Sequence, residues 1–386
     1  MAIHIYINKA NIKFISRVKN ITSKVAQFFF RMFTGEKPYV YLRYRYTNTH
    51  PGFIRMYHTP PIKWSNRYNA KLFHWLGYAD FVDERPFIVE PNDHPLSAHG
   101  WKGRPSYDVK NFSKIVSEAR ELYEKDNCKS VILTSQQNIL FFKAYMPKKI
   151  WHKIKLLPSD VGAIPRKFDW STRITSKKVK FLCIASDYDL KGISIMLRAW
   201  SFMKVGENAS LTIVCPKFPS LEGGKECTRK GVEFIEQGPI TEEFKKNLYI
   251  SHHVALCPTL VDGGTNIIEA MEYGLPILTN KYHRSESYII GNNGFIVSSP
   301  YQYYDVEHYG LTWSSVSEYM DVVNTSIEAG GYDFVVQEWK EYMEMYIADP
   351  CLSYCQGIES YNLSSNELSQ SFRNKSLRVI YKEALD

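Results

Sequence analysis

The sequence lacks an apolar run long enough to cross a membrane. A spanning helix needs about 20 largely apolar residues, and the nearest candidate, residues 25–33, is interrupted by Gln27 and Arg31. A secretory signal is also missing, because lysines and arginines are scattered through the first 24 residues and no small-residue cleavage site follows. These absences predict a cytoplasmic protein, and peripheral contact with the cytosolic face of a membrane stays open.

Cysteine is scarce, and its seven copies are irregularly spaced. An odd number without a regular pattern argues against a disulfide framework. Cys183, Cys215 and Cys257 each lie in an apolar, β-rich stretch, which predicts buried free thiols. Cys351 and Cys355 have no second Cys or His pair nearby, so a zinc site is not expected.

Acidic residues are almost missing from the first 75 positions. That segment carries 13 Lys and Arg and a single acid, Glu36, so its net charge is +12, whereas the chain of 386 residues carries +8. The remaining 311 residues therefore carry −4, and the basicity belongs to one end of the chain.

Two interpretations of this basic end stay open. The apolar residues of 12–33 approximate one helical face, with Lys and Arg elsewhere. Such a helix can lie in an anionic membrane interface, or its apolar face can join the protein core. Nucleic-acid binding is a third function to consider, because basic and aromatic residues interleave farther along the segment. No nucleic-acid-binding motif accompanies them, so a nucleic-acid partner is not expected. These residues are Tyr39, Tyr41, Arg43, Tyr44, Arg45, Tyr46, Arg55, Trp64 and Arg67.

From residue 179 onward, β-rich apolar runs alternate with helical patterns. Runs that are apolar throughout are typical of strands buried on both faces, and their alternation with helices predicts a parallel sheet. The first half shows the same alternation more weakly, with strands predicted at 87–90 and 130–134. Residues 157–178 contain two prolines and a glycine and are the predicted linker. The predicted strands of the second half are 179–185, 211–215, 232–235, 254–260 and 276–279.

A glycine pair precedes a helix within residues 258–276. A buried strand is predicted to end near position 260, and Gly263 and Gly264 lead to a helix from position 266 with Thr265 as its N-cap. Glycines let an anion approach the backbone, and a helix N-terminus favours negative charge. Glu269, one turn in, suits a hydroxyl pair such as a ribose diol. The pattern favours a nucleotide site, although an ordinary strand–helix turn with a solvated Glu fits the same residues.

The same stretch resembles the C-terminal signature of retaining glycosyltransferases of family 4. In that family an acidic residue and a glycine-rich loop precede a Glu-Ala-Met helix, then Gly-x-Pro and a short strand. Further matching elements run in order from 179 to 300: a strand and Lys-Gly turn at 181–192, Gln-Gly-Pro-Ile at 237–240, and Glu286 followed by Gly-Phe-Ile-Val at 294–297. The tail matches the family's closing helix weakly, and the first 130 residues hardly match.

The resemblance implies an α/β fold of the GT-B type, with two Rossmann-like domains facing each other across a cleft. The implied boundaries are 1–165 for an acceptor-side domain, 178–365 for a nucleotide-sugar domain and 366–386 for a helix that crosses back. The implied function is transfer of a sugar from a nucleotide-diphosphate sugar to a hydroxyl of a glycan, glycolipid or glycoprotein, with retention of anomeric configuration. A UDP- or GDP-sugar is the expected donor, and no cofactor is required.

Residue by residue, the resemblance implies that Lys191 neutralises the donor diphosphate and that Glu269 binds the ribose hydroxyls. Two positions depart from the family. Ser186 stands where many members have a diphosphate-binding Arg, which Arg198, Lys217 or Lys281 could replace. Asp262 lies one residue closer to Glu269 than the first acid of the family's signature usually does. Either Asp262 takes the role of that first acid, as we favour, or the contact made by the first acid is absent. The predicted catalytic set is Lys191, Asp262, Glu269 and His94, and the predicted donor-binding set is Ser186, Lys191, Gly263, Gly264, Thr265, Asn266, Ile267 and Glu269.

Polar residues at the end of the 87–90 strand are the acceptor-side candidates. Glu90, Asp93, His94 and His99 cluster there, and His94 falls near the position where the family often has a His or acid facing the transferred sugar. A plain surface turn is the alternative interpretation of this segment.

A metal requirement is not expected. Asp187 and Asp189 match the two-carboxylate pattern of metal-dependent glycosyltransferases, but they precede the Lys-Gly turn and are interpreted as a solvated loop. The departures at Ser186 and Asp262 leave one alternative function open, a catalytically impaired glycosyltransferase-like binding protein.

Overall fold

The computed structural model describes residues 39–42, 53–56, 72–76, 84–91, 112–158, 163–164, 166–167, 170, 173, 178–218, 231–238, 240–261, 264–282, 284–303 and 316–386. The basic segment 12–33 and the candidates Asp93, His94, His99, Asp262 and Gly263 lie outside these residues. Among the helices described, none combines the length and apolarity that crossing a bilayer requires.

The first half contains a six-stranded sheet in which every paired neighbour is parallel. Its elements are β1 Tyr39–Leu42, β2 Phe53–Met56, β3 Phe73–Leu76, β4 Phe87–Glu90, α1 Phe112–Glu124, β5 Cys128–Leu133, α2 Gln136–Tyr145 and β6 Ile154–Leu156. The strand order is β2-β1-β3-β4-β5-β6. The buried apolar residues of β4 and β5 pack against α1 and α2, as expected of a sheet covered by helices.

The second half contains another six-stranded parallel sheet. Its elements are β7 Val179–Ile184, α3 Ile193–Ser201, β8 Ala209–Cys215, β9 Val232–Glu236, α4 Glu242–Ser251, β10 Val254–Cys257, α5 Thr265–Glu272, β11 Ile277–Asn280, α6 Ser285–Tyr288 and β12 Gly294–Val297. The order is β12-β11-β10-β7-β8-β9. The predicted alternation and parallel pairing are confirmed, and Cys183, Cys215 and Cys257 are buried free thiols as predicted.

Four helices complete the chain: α7 Val316–Glu328, α8 Asp333–Ala348, α9 Pro350–Ser365 and α10 Gln370–Leu385. Helix α8 packs on α3, and α9 packs on α5. The α9–α5 approach is close because Gly357 lacks a side chain: a Cβ there would overlap the carbonyl oxygen of Gly274. Helix α9 therefore holds α5 against the sheet from its outer side.

Helix α10 returns to the first sheet, as the predicted fold requires. One face of this helix packs on apolar residues of β4 and β5 and their neighbours. These contacts make the last helix part of the core of the first half. The residues in this cluster are Leu72, Ile88, Ile132 and Leu157 from the first half and Leu377, Ile380, Tyr381 and Ala384 from α10.

A buried ionic cluster fixes α10 further. Both carboxylate oxygens of Glu90, at the end of β4, accept from Nη2 of Arg373 at 2.7 and 2.6 Å. His74 lies 3.3 Å from the same carboxylate and shares a 2.7 Å hydrogen bond with the hydroxyl of Tyr381. Burial alone would raise the pKa of Glu90, but Arg373 and His74 lower it to about 2. Glu90 is only 1% exposed, so it anchors the returning helix and does not present its carboxylate to an acceptor.

Hydrogen bonds hold the linker between the two halves at several points. Ala163 exchanges backbone hydrogen bonds with Leu368 and Gln370, both 2.7 Å, so the linker and the α9–α10 junction run side by side. Arg173 donates to the carbonyls of Gly274 and Tyr249, at 2.6 and 3.0 Å. These carbonyls lie near the C-termini of α5 and α4, where a cation is favoured by the helix dipoles.

Candidate functional site

The strand order of the second sheet indicates where a ligand binds. The chain leaves β7 toward β8 and β9, and then crosses to the other side of β7 to build β10, β11 and β12. In open α/β sheets, ligands bind at the carboxyl ends of the strands where the order reverses. That place is the end of β7 and β10, from which the Lys191–Gly192 turn and the loop before α5 emerge.

The turn after β7 is held by hydrogen bonds to the loop after β10. The carbonyl of Leu190 accepts from the amides of Leu260 and Val261, at 3.2 and 3.1 Å. The ammonium of Lys191 donates to the carbonyl of Val261 at 2.8 Å. Asp187 accepts from the amide of Leu190 at 2.8 Å, which gives this exposed carboxylate a role in the turn. The two loops therefore form one unit with Lys191 at their junction.

Gly192 allows this junction to form. Its φ of +59° is in the left-handed region, and a Cβ there would overlap the carbonyl oxygen of Pro258. Asn280 then fixes Pro258 from the next strand, because its side-chain amide donates to the same carbonyl oxygen at 2.8 Å. Only glycine meets both the dihedral and the steric requirement at position 192.

Helix α5 presents its N-terminus beside this junction. Gly264 is the N-cap, with φ of +146°, and has no side chain to cap the helix, while the amide of Ile267 in the first turn donates to Oδ1 of Asn266 at 3.0 Å. The prediction of Thr265 as N-cap is therefore wrong, since Thr265 is the first helical residue and its side chain is exposed. Asn266 turns toward the sheet and donates to the carbonyl of Ile184 at 3.3 Å. A helix start built around a glycine is suited to bind an anionic group.

Glu269 lies on the face of α5 that turns toward α4. Its Oε1 accepts from the ammonium of Lys245 at 2.8 Å, and its Oε2 accepts from the hydroxyl of Tyr249 at 3.3 Å. Burial disfavours the charged form of Lys245, yet Glu269 and Glu242 together raise its pKa. The carboxylate thus faces a cavity of about 150 Å³ between α4, α5 and the linker, lined by Arg166, Lys245, Tyr249, Thr265, Glu269 and Glu272.

Glu272, one turn after Glu269, is a residue of this cavity that the sequence analysis missed. Its carboxylate accepts from the amide of Ile164 at 2.7 Å and from Nε of Arg166 at 3.2 Å, so it ties the linker to α5. Burial raises its pKa to about 7, against the opposing effects of Ile164 and Arg166. Helical spacing places positions 265, 269 and 272 on one face, and that spacing is the signal that could have found it.

Arg198, one candidate to supply the cation expected near Ser186, is engaged by other partners. Ser186 is exposed at the end of β7. Arg198 pairs with Asp333 at 2.9 Å and lies near the carbonyl of Ile327, which directs it to α7 and α8. Lys281 lies after β11, 4.0 Å from Glu286. Among the described candidates, Lys191 therefore has the most direct connection to the α5 loop.

His252 and His253 belong to the core of the second half. His252 shares hydrogen bonds with the carbonyl of Leu248 and the hydroxyl of Thr212, and Nδ1 of His253 accepts from the amide of Lys180 at 2.8 Å. Both rings are buried, and burial lowers the pKa of each to about 4. Their hydrogen bonds and burial give them a structural role.

We expect the two histidines to destabilise the protein as the pH falls from 6.5 to 4. The unfolded chain binds protons near pH 6.5, whereas the folded chain binds them only near pH 4, so the stabilisation is complete above 6.5 and is lost on acidification. At about 1.4 kcal/mol per pKa unit, each histidine accounts for a few kcal/mol. Thermal unfolding from pH 8 to pH 4 measures this. The variant His252→Gln/His253→Asn should flatten the decline, and an unchanged decline would contradict the assignment.

The described residues contain no group of three or more His, Cys, Asp or Glu side chains placed to hold a metal ion. Metal independence remains a prediction, because activity in the presence of a chelator is what tests it.

The fold is that of the GT-B glycosyltransferases, with two Rossmann-like parallel sheets. Residues 178–305 match the sequence family described as "Glycosyl transferases group 1". That segment contains the β7 turn, the α5 loop and Glu269. Among curated protein sequences, none matches the chain significantly.

Three solved structures share the fold at low sequence identity. WaaG, a glycosyltransferase involved in lipopolysaccharide biosynthesis, is 12% identical with a TM-score of 0.55, over 98% of this chain and 97% of that one. Sucrose-phosphate synthase from Thermosynechococcus elongatus is 14% identical with a TM-score of 0.52, over 83% of this chain and 75% of that one. The pneumococcal O-GlcNAc transferase GtfA is 15% identical with a TM-score of 0.50, over 78% of this chain and 53% of that one. The family match and the shared fold support a role in glycosyl transfer.

Proposed function

We propose that the protein transfers a sugar from a nucleotide-diphosphate sugar to an acceptor hydroxyl, with retention of anomeric configuration. One observation carries the proposal: the Lys191–Gly192 turn is hydrogen bonded to the loop that leads to the N-terminus of α5, at the switch point of the second sheet. A cation and the backbone amides of a helix N-terminus at one place are the groups that a diphosphate needs.

In this proposal the donor lies along α5. Its diphosphate lies at Gly264 and Thr265 with Lys191 beside it, and its ribose hydroxyls bind Glu269. Asp262 and Gly263 complete the loop, and Ile267 is buried beneath it. In this arrangement the main task of the enzyme is to stabilise the charge that develops on the departing diphosphate.

The acceptor is proposed to approach from the first half, where His94, Asp93 and His99 follow β4. We leave Glu90 out of this set, because its carboxylate is buried and paired with Arg373. The solved relative WaaG acts in lipopolysaccharide biosynthesis, so a lipid-linked glycan is a suitable first acceptor class. Contact of the basic segment 12–33 with an anionic membrane surface would bring such an acceptor close, and a cytoplasmic enzyme that is peripheral on the cytosolic face of a membrane fits this proposal.

The function is tested with a panel of donors. The solved structure of pneumococcal GtfA contains UDP and GlcNAc, so UDP-sugars come first and GDP-sugars second. We expect the protein to hydrolyse or transfer the sugar of at least one donor, with a retained anomeric configuration by NMR. EDTA should leave the rate within about twofold, because Lys191 and the amides of α5 supply the positive charge. Loss of activity in EDTA with recovery in Mn²⁺ would contradict the metal-independent mechanism.

The same panel of donors distinguishes the proposed transferase from the alternative function. A catalytically impaired binding protein would bind a nucleoside diphosphate without turnover of any donor. Ser186, exposed at the position of the usual cation, is the feature that favours this alternative. Tight binding with no product from any donor would support it.

A further inference from the structure

Two side chains of α4 hold the carboxylate of Glu269. Lys245 donates to Oε1 at 2.8 Å, and Tyr249 donates to Oε2 at 3.3 Å. Lys245 and Tyr249 are four residues apart, so they lie on the same face of α4. Each carboxylate oxygen therefore has one partner from the same neighbouring helix.

The two side chains of α4 keep their protons over the physiological pH range. Glu269 and Glu242 raise the pKa of Lys245 against the effect of burial, so the ammonium stays charged. Burial and the neighbouring Glu269 raise the pKa of Tyr249 well above its ordinary value, so its hydroxyl keeps its proton and donates. Lys245 also lies 3.5 Å from Glu242, but the Glu242 side chain is 87% exposed, and an exposed partner contributes little.

Two acceptor positions of Glu269 remain after these contacts. A carboxylate accepts about four hydrogen bonds through its two oxygens, and Lys245 and Tyr249 use one on each. The Glu269 side chain is still 29% exposed. The remaining positions match the two donors of a vicinal diol, one hydroxyl to each oxygen.

We infer that Lys245, supported by Tyr249, is a positioning residue that orients Glu269 for a ribose 2′,3′-diol and so selects ribonucleotide donors. The inference rests on the proposed function and adds two residues of α4 to it. A free glutamate loses side-chain rotamer entropy when it is ordered by a ligand. Here the ion pair orders it in advance, so diol recognition depends on Lys245 although Lys245 need not touch the donor.

The test is a comparison of ribose and 2′-deoxyribose ligands. Calorimetry with UDP, GDP, ADP and CDP first finds the nucleoside diphosphate that the wild-type protein binds most tightly. The same titrations with its 2′-deoxy form give the ratio of dissociation constants, which measures recognition of the 2′-hydroxyl. Lys245→Met should lower that ratio about tenfold, the scale of a hydrogen bond to a charged group. Tyr249→Phe, which removes a longer hydrogen bond, should lower it less.

Two further variants distinguish positioning from general damage. Lys245→Gln keeps a neutral donor and should retain part of the discrimination, and it replaces Lys245→Met if that variant does not fold. Lys340→Met breaks a comparable Lys–Glu pair on α8, where the ammonium lies 3.3 Å from Glu344, and should leave the ratio unchanged. A thermal unfolding curve accompanies each variant.

The outcomes separate this inference from the proposed function. Binding of a nucleoside diphosphate with an unchanged ratio in Lys245→Met would overturn the inference and leave the function in place. Failure of the wild-type protein to bind all four nucleoside diphosphates would overturn the proposed function and the inference with it. A lowered ratio in Lys245→Met beside an unchanged ratio in Lys340→Met supports the positioning role.

Discussion

Replacement of Lys191 by Met is expected to lower the rate of sugar transfer by about 10²-fold or more. Lys191 is the cation at the junction of the β7 turn and the α5 loop, where its ammonium already donates to the carbonyl of Val261 at 2.8 Å. Loss of one preorganised charge contact to a leaving group costs about 10²- to 10³-fold in turnover. The effect should be the greater because Ser186, exposed after β7, supplies no second cation.

The measurement is turnover at saturating donor. Glu269→Ala should reduce turnover on a similar scale through the loss of the ribose contact. Lys155→Met is the control, since it breaks a Lys–Glu pair of 2.6 Å between β6 and α10, far from the donor site in sequence and on the other sheet. Near-wild-type rates in both the Lys191 and the Glu269 variants would overturn this placement of the donor.

Replacement of Arg373 by Met is expected to destabilise the protein by about 3–5 kcal/mol. Arg373 is 4% exposed and provides the charge that balances Glu90, which is 1% exposed. Removal of one partner from a buried pair leaves the other charged and uncompensated. The folded-state pKa of Glu90, about 2, lies below its ordinary value of 4.5, so in the wild type this stabilisation is present above pH 4.5 and is lost as the pH falls toward 2.

Chemical denaturation at pH 7 measures this loss. The double variant Glu90→Gln/Arg373→Met should recover much of the stability, because no buried charge is left unpaired. Hydrogen exchange of α10 gives a local readout and should accelerate in Arg373→Met. An Arg373 variant as stable as the wild type would show that α10 is held by its apolar face alone.

The second sheet could be predicted well because its strands are rich in apolar and β-branched residues. The runs at 179–185 and 211–215 correspond closely to β7 and β8, because a strand that is largely buried on both faces is mostly apolar and stands out from the polar loops beside it. The glycine turn and the helix that carries Glu269 followed from local rules for glycine and helix starts. Thr265 was misplaced by one position because Gly264, with positive φ, takes the N-cap that a hydroxyl side chain usually fills.

The contacts between distant segments could not be predicted. Glu90 ends a strand, and a single sequence does not indicate that Arg373, 283 residues later, will pair with it. Lys245 and Glu272 likewise gain their roles only because α4 and the linker pack against α5. Single-sequence patterns report neighbours along the chain, whereas these partners are set by topology.

The return of α10 also affects how the protein is made. Glu90 leaves the ribosome long before Arg373, and at about 5–20 residues per second the delay is roughly 15–60 s. During that time the apolar side chains of Ile88 and Ile132, which α10 covers in the folded protein, lack that contact. The first half of the chain is synthesised first but completes its core last. Folding of this half during synthesis should therefore depend on chaperones more than folding of the half that follows it.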